Sequence, residues 1–127
     1  MANESCTGST CKKFIPQMTC PYDYVDSPCY YTYMYGGGRA NTTGYLATDT
    51  FWFDSDPVGV ELTFGCGLYN VGDFGGASGI IGLGWGDLSL VSQLNVSRFS
   101  YYFAPEEDDD SSGGAQQQES FIVFGSD

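Results

Sequence analysis

The sequence predicts a mostly β fold with one short helix. Residues 30–35 carry a tyrosine at every odd position, which is the two-residue period of a half-buried strand. Residues 58–64 repeat that period, with an apolar side chain at every even position. The chain also holds ten Tyr, nine Phe and 18 Gly among 127 residues, a composition that favours strands and turns.

Residues 1–28 are predicted to form loops stapled by disulfides, with little regular structure. Pro16, Pro21 and Pro28 exclude a continuous helix or a central strand there. Four cysteines lie in or next to this region: Cys6, Cys11, Cys20 and Cys29. Their spacing contains no Cys-x2-Cys pair and the chain has no histidine, so we predict disulfides and no metal site. Four cysteines allow three pairings, and the residue pattern leaves that choice open.

A hairpin over residues 29–53 follows, with strands at 29–35 and 44–53. Three consecutive glycines, Gly36, Gly37 and Gly38, stand between the strands, and glycine tolerates the positive φ that tight reversals need. Because this tip carries few side chains, we expect it to be mobile and able to lie against a ligand. Tyr35 stands at its edge.

The next elements are a turn at 54–57, a strand at 58–64 and a glycine-rich segment at 65–76. The glycines do not form a phosphate-binding loop, because neither Gly-x4-Gly-Lys-Ser/Thr nor a dinucleotide fingerprint is present. The apolar run within residues 79–84 predicts a buried strand.

The last third of the chain predicts a helix, two strands and an acidic loop. The helix covers 88–94, with Asp87 or Ser89 as its N-cap and Asn95 at its end. The strands are residues 98–104 and 121–124. Between them, residues 105–119 include five consecutive acids and predict a solvated surface loop, without the ligand spacing of a calcium loop.

Charge and cysteine content restrict the partners and the compartment. A net charge of −12 disfavours nucleic acid, and no window reaches the ~20 apolar residues of a membrane span. Five cysteines and three glycosylation sequons, at Asn3, Asn41 and Asn95, indicate an oxidising, secretory origin. The first residues lack the basic and apolar regions of a signal peptide, so none is visible in this chain.

Several motifs together resemble one family. They are Tyr-Gly-x-Gly at 35–38, Gly-x-Leu-x-x-Asp-Thr at 44–50, Phe-Gly-Cys-Gly at 64–67 and Gly-Ile-Ile-Gly-Leu at 79–83. Their order and spacing resemble the N-terminal lobe of plant nepenthesin-type, pepsin-like aspartic peptidases, including the xylanase-inhibitor-like proteins. The resemblance covers about residues 6–125. It implies that residues 29–127 form part of that lobe of the acid protease double-barrel fold, with a central strand at about residues 79–84.

The resemblance also implies roles for particular residues. Tyr35, Gly36, Gly37 and Gly38 would form the flap over a bound polypeptide, and Ile80 would line a substrate pocket wall. The implied disulfides are the nested pairs Cys6–Cys29 and Cys11–Cys20, and Cys66 would pair with a cysteine that this chain does not contain. Family members commonly carry Asp or Thr in place of Gly37 and Ser in place of Arg39, so the grip on a substrate is expected to differ. The location implied is secreted, as a glycoprotein.

The residues needed for catalysis are not found in the sequence. An aspartic peptidase uses two carboxylates that share one proton, each on an Asp-Thr/Ser-Gly turn. Neither motif occurs, and Cys6-Thr7-Gly8 cannot replace one because a thiol titrates near ~8.5. Without histidine no Ser-His-Asp or Cys-His site can form, and no local feature selects two acids for glycoside hydrolysis. We therefore predict no catalytic residues, no cofactor and no activity for this chain alone.

Three functions stay open at this point. The chain could be a fragment of an active secreted peptidase, a binding protein such as an inhibitor or decoy, or an unrelated β module that interacts through its aromatic surface. The expected partner is a polypeptide substrate or another protein. Because the run 79–84 would lack a neighbouring strand, we also expect self-association through an uncovered edge.

Overall fold

The computed structural model describes residues 1–13, 18–20, 27–53, 57–105 and 119–125. They fall into two compact units, Met1–Ile81 and Gly82–Asp127. The elements in order are β1 (Ala2–Asn3), α1 (Ser9–Lys13), β2 (Met18–Thr19), β3 (Tyr30–Tyr35), β4 (Ala40–Phe51), β5 (Val60–Val71), α2 (Leu90–Gln93), β6 (Phe99–Tyr102) and β7 (Phe121–Phe124). The prediction of a mostly β fold is confirmed. The described residues hold two short helices, however, because α1 forms in the cysteine-rich region that was expected to be loop.

Strand β4 is the centre of the sheet in the first unit. β3 pairs with Ala40–Tyr45 and β1 pairs further along with Ala47–Thr48. β5 runs along the other edge of β4 from Asn41 to Phe51, and the short β2 extends the sheet beyond β3. All these pairings are antiparallel. One strand therefore holds three others in register.

The small core of this unit lies on both faces of β4. Leu46 is 2 % exposed and its neighbour Ala47 is fully buried, although successive side chains of a strand point to opposite faces. Leu62 of β5 is also buried. A bulge separates Thr43 from Gly44, and there the backbone of β4 lies close against the carbonyl group of Cys66 on β5.

The nested disulfides implied by the resemblance are wrong for this structure. Cys6 is bonded to Cys20 and Cys11 to Cys29, with Cα–Cα distances of 5.6 Å and 5.8 Å. Cys11 lies in helix α1 and Cys20 directly follows β2, which pairs with the start of β3. A bridge between Ser5 and Pro28 holds Cys6 near the same end of the sheet. The sulfurs of Cys11 and Cys20 still lie 3.9 Å apart, so positions along the chain could not discriminate between the pairings.

The central strand expected over residues 79–84 is not formed. None of the described strands pairs with this run, and the exposed fractions of Ile80 and Ile81 are 55 % and 61 %. A strand needs a backbone partner, and local apolar character does not supply one. The uncovered strand edge expected there is therefore absent from the described residues, while the uncovered isoleucines are present. β5 is also longer than predicted and reaches Val71.

The second unit contains α2 and the antiparallel pair β6–β7, in which Phe99 lies opposite Phe124. The side chain of Ser89 accepts a hydrogen bond from the amide of Ser92, so Ser89 is the N-cap of α2. Asn95, just beyond the helix, has a positive φ of 54°. Most of the predicted acidic loop, residues 106–118, lies outside the described residues. Across the part of the chain that the structure describes, no helix has the length and apolar character to cross a membrane.

Candidate functional site

The tip of the β3–β4 hairpin is built almost entirely of backbone. Gly36, Gly37 and Gly38 all have positive φ, at 58°, 68° and 89°. The amide of Gly38 donates a 3.1 Å hydrogen bond to the carbonyl of Tyr35, and Tyr35 pairs directly with Ala40. Among the described residues, no atom lies within 4 Å of where a Cβ would stand on Gly37 or Gly38. The tip is therefore a tight four-residue turn, shorter than predicted, with open space around it.

The ring of Tyr35 is held at the edge of this tip by two other aromatic rings. Its centroid lies 4.9 Å from that of Tyr33 and 6.2 Å from that of Phe74, the second in an edge-to-face arrangement. Partial burial raises the pKa of Tyr35, and the neighbouring Tyr33 and Tyr31 raise it further. The phenol therefore stays protonated, and its hydroxyl can donate a hydrogen bond to a ligand.

Phe74 was not singled out as a site residue by the sequence. It lies in the loop that follows β5, and this loop approaches the base of the tip at Gly72. A Cβ on Gly72 would stand 2.7 Å from the Cα of Ala40, so only glycine fits there, and its φ is 113°. Within the loop, the carboxylate of Asp73 accepts a hydrogen bond from the amide of Gly75 at 2.8 Å. The glycines in the sequence of this segment indicated a loop. They did not indicate that the loop would contact the hairpin.

Hydroxyl groups tie the base of the hairpin to its neighbours across the sheet. Tyr31 on β3 shares a 3.3 Å hydrogen bond with Thr42 on β4, and the Thr42 hydroxyl donates to the amide oxygen of Asn70 on β5 at 2.7 Å. Thr32 and Thr43 form a further cross-strand pair at 3.1 Å. Side-chain pairs of this kind stabilise antiparallel sheets. Side-chain hydrogen bonds thus stabilise the base of the hairpin, whereas its glycine tip carries few side chains.

Ile80, expected in a pocket wall, lies outside any strand with more than half of its side-chain surface exposed. Its role as a wall residue stays a prediction. Cys66 is the free cysteine, since the other four are all in disulfides. It pairs with Tyr45, and a hydrogen bond from the Tyr45 hydroxyl to Cys66 raises the pKa of that phenol.

The electrostatics of Asp49 favour its ionised form. Asp49 lies near the end of β4, and its carboxylate accepts a 2.9 Å hydrogen bond from the amide of Thr50. That hydrogen bond lowers the pKa of Asp49. An aspartic peptidase keeps one proton between two carboxylates, and among the described residues the structure places no second carboxylate beside Asp49 in the contacts that shift its pKa.

Two of the three glycosylation sequons place their asparagine at an exposed position. These are Asn3 in β1 and Asn95 after α2, whereas Asn41 is half-buried within β4. Modification at any of the three stays a prediction.

Comparison with known proteins gives one consistent result. The family model described as xylanase inhibitor N-terminal matches residues 1–126. Aspartic proteinase nepenthesin-2 of Nepenthes gracilis is 45 % identical over 97 residues, covering 76 % of this chain and 20 % of the relative. Nepenthesin-1 of the same species is 40 % identical over 101 residues, covering 79 % and 22 %, and aspartyl protease 37 of Oryza sativa subsp. japonica is 43 % identical over 102 residues, covering 79 % and 21 %.

The chain thus spans about a fifth of the length of these relatives. No solved structure matches it. The family match extends over nearly the whole sequence, and the mostly β sheet of the structure is consistent with the pepsin-like lobe that the motifs implied. The chain belongs to the xylanase-inhibitor N-terminal family, whose relatives here are plant aspartic proteases.

Proposed function

We propose that this chain supplies the flap of an aspartic-peptidase lobe: it binds an extended polypeptide beneath the tip at Tyr35 but does not cleave it alone. The observation that carries the proposal is the tip itself, three consecutive glycines with positive φ beside a tyrosine held by Phe74. The plant relatives named as aspartic proteases support a polypeptide as the ligand.

Binding at this tip would use backbone groups more than side chains. Because Gly37 and Gly38 carry no Cβ, a peptide backbone could approach within hydrogen-bonding distance of the backbone groups of these two glycines. The protonated phenol of Tyr35 would donate one further hydrogen bond. The exposed Arg39 adds a positive charge at the tip of an otherwise acidic chain, which favours a peptide with an acidic side chain at that point.

Cleavage would need a pair of carboxylates that this sequence does not provide on the required motifs. The hydrogen bond from Thr50 lowers the pKa of Asp49, which disfavours Asp49 as the protonated member of such a pair. A secreted, glycosylated protein is part of the same proposal, and the two disulfides support an oxidising compartment.

The test uses the purified chain with its disulfides intact. At about pH 3–5, where aspartic-peptidase dyads work, we expect no cleavage of an unfolded protein substrate. A peptide that mimics the tetrahedral transition state should nevertheless bind and perturb the Tyr35 resonances in NMR spectra. Replacing Tyr35 with Phe should weaken binding about 5–10-fold, the effect of one hydrogen bond.

Tyr69→Phe is the matched control, because Tyr69 lies on β5 and its exposed fraction is 72 %. Binding by this variant should equal that of the unmodified chain. Cleavage that the same peptide blocks would refute the absence of activity. Equal binding by the Tyr35 and Tyr69 variants would refute the flap role.

A second candidate function is a non-catalytic inhibitor on the same fold, which the family description itself favours. In that case the chain would bind a xylanase and reduce the rate of xylan hydrolysis. If the xylanase binds away from the hairpin tip, Tyr35→Phe should leave the inhibition unchanged. Titrating a xylanase with the chain, in parallel with the peptide, separates the two functions.

We also propose that the chain self-associates through the exposed run at Ile80 and Ile81, although no strand edge is formed there. Sedimentation velocity should show an association that weakens when both isoleucines are replaced by Ser. A monomer at all concentrations would refute this proposal.

A further inference from the structure

The two disulfides of the first unit lie against each other. The sulfurs of Cys6, Cys11 and Cys20 all lie within 4.8 Å of one another. The sulfur of Cys20 in one bond lies 3.9 Å from the sulfur of Cys11 in the other. This spacing would also suit a metal ion, but sulfurs bonded in disulfides offer no thiolate to bind one. What the spacing does allow is a reaction between the two bonds.

The two bonds differ in their access to solvent. Cys11 and Cys29 are fully buried, so the bond between them is shielded. Cys6 is 7 % exposed, whereas its partner Cys20 is exposed to solvent. A thiol reductant therefore reaches the Cys6–Cys20 bond first, because exchange depends on access to a sulfur.

We propose that this cluster is a redox site at which reduction of Cys6–Cys20 is followed by exchange with Cys11–Cys29. In the first step a dithiol is oxidised to its disulfide and passes two electrons and two protons to the bond, which leaves thiols on Cys6 and Cys20. In the second step the Cys20 thiolate attacks the sulfur of Cys11. The Cys11–Cys20 bond forms, the Cys11–Cys29 bond breaks, and Cys29 leaves as a thiolate that takes up a proton. The second step involves no net oxidation or reduction.

The exchange changes what helix α1 is tied to. In the structure Cys11 links α1 to Cys29, which stands directly before β3. The backbone of Cys29 also makes two hydrogen bonds of 2.9 Å each. Its amide donates to the carbonyl of Glu4, and its carbonyl accepts from the amide of Leu46. After exchange α1 is linked to Cys20 at the end of β2, and the start of β3 is held by hydrogen bonds alone. Reduction would thus loosen the base of the β3–β4 hairpin.

The exchange leaves thiols on Cys6 and Cys29. The sulfur of Cys6 lies 3.1 Å from the carbonyl oxygen of Pro28, the residue before Cys29. A small-molecule disulfide that takes up two electrons and two protons from these thiols, and is thereby reduced to its thiols, would join Cys6 to Cys29. The product has the nested pairing that the resemblance implied, reached by one reduction, one exchange and one reoxidation.

The test frees one attacking thiol without any reductant. The chain with Cys6→Ser and Cys66→Ser has a thiol on Cys20 beside an intact Cys11–Cys29 bond. After incubation at about pH 8, near the pKa of a thiol, it is trapped with a maleimide in acid-quenched denaturant, digested and analysed by mass spectrometry. We expect label on both Cys20 and Cys29, in amounts within roughly tenfold of each other.

The matched control carries Cys20→Ser and Cys66→Ser, which leaves the thiol on Cys6, whose sulfur lies against Pro28. It should be labelled at Cys6 and more than tenfold less at Cys29. Label on Cys20 alone in the first variant would overturn the proposal, and so would equal label on Cys29 in the two variants.

If the variants fail to fold, the unmodified chain gives the same answer by partial reduction with a limiting dithiol. The two-electron-reduced chain should lose label from Cys20 and gain it on Cys29 with time at about pH 8. A reduced species that keeps Cys11–Cys29 and stable thiols on Cys6 and Cys20 would overturn the proposal.

Discussion

The close approach of β4 and β5 at Gly44 makes a sharp test of the sheet. A Cβ on Gly44 would stand 2.8 Å from the carbonyl carbon of Cys66 and 3.0 Å from the Cα of Gly67. Both are backbone atoms, so no side-chain rotation can relieve the overlap. Replacing Gly44 with Ala must therefore move β5 away from β4 or break the pairing beside the bulge.

The cost follows from the two consequences of that displacement. Overpacking a close contact costs about 1–3 kcal/mol, and one weakened backbone hydrogen bond adds about 1 kcal/mol. We expect the free energy of unfolding to fall by roughly 2–4 kcal/mol, a large fraction of the ~5–15 kcal/mol typical of a domain.

Urea unfolding without reductant, followed by far-ultraviolet circular dichroism, measures the loss. With a slope of about 1–3 kcal/mol/M, the midpoint should fall by roughly 1–2 M. Gly79→Ala is the control, since no described atom lies within 4 Å of the Cβ position and its φ is not positive. Its midpoint should match the unmodified chain within the effect of about 0.5 kcal/mol usual for surface changes. Equal midpoints for the two variants would refute the account of Gly44.

Three further results are expected. Gly38→Ala should lower the free energy of unfolding by about 1–2 kcal/mol, because alanine must adopt the positive φ of 89°, while Gly82→Ala should have no such effect. Because the pKa of Asp49 is lowered in the folded chain, its ionised carboxylate stabilises the fold above the unfolded pKa of about 3.9. This contribution is lost as pH falls through the folded pKa. Asp49→Asn should therefore make the free energy of unfolding less dependent on pH on the acid side. Phenolate absorbance should show Tyr35 titrating above its ordinary range, and Phe74→Ala should lower that pKa by removing part of the burial.

Each of these three can fail in a distinct way. Equal stability of the Gly38 and Gly82 variants would contradict the strained turn. An unchanged acid profile in the Asp49 variant would show that the contacts that lower its pKa, chiefly the hydrogen bond from the amide of Thr50, do not hold in solution. A Tyr35 titration that is insensitive to Phe74 would mean that the aromatic contact is not formed.

The features that were predicted correctly are local ones. The alternation of residues 30–35 and the three glycines after it are sufficient to form a hairpin, since both act within a few residues. The capping of α2 by Ser89 is equally local, and the sequence offered it as one of two choices.

The features that were missed depend on partners distant in the sequence. Ile80 and Ile81 have the composition of a buried strand, but no described strand lies beside them. Phe74 acquires its role by contact with Tyr35, which no pattern around residue 74 encodes. The cysteines lie so close together that their pairing depends on ångström-scale packing, which chain spacing cannot indicate.

The position of β4 between its partners implies an order of folding. Tyr35 and Ala40 meet across a four-residue turn, and β5 follows β4 after a short connection, so both pairings close small loops. β1 reaches β4 only by bringing Ala2 to Thr48, across nearly all of the cysteine-rich region. In pulsed hydrogen exchange during refolding, the amides shared by β3, β4 and β5 should be protected first. The amides at Ala47 and Thr48 that face β1 should become protected later. If refolding starts from the reduced chain, their protection should appear at the rate at which the two disulfides form.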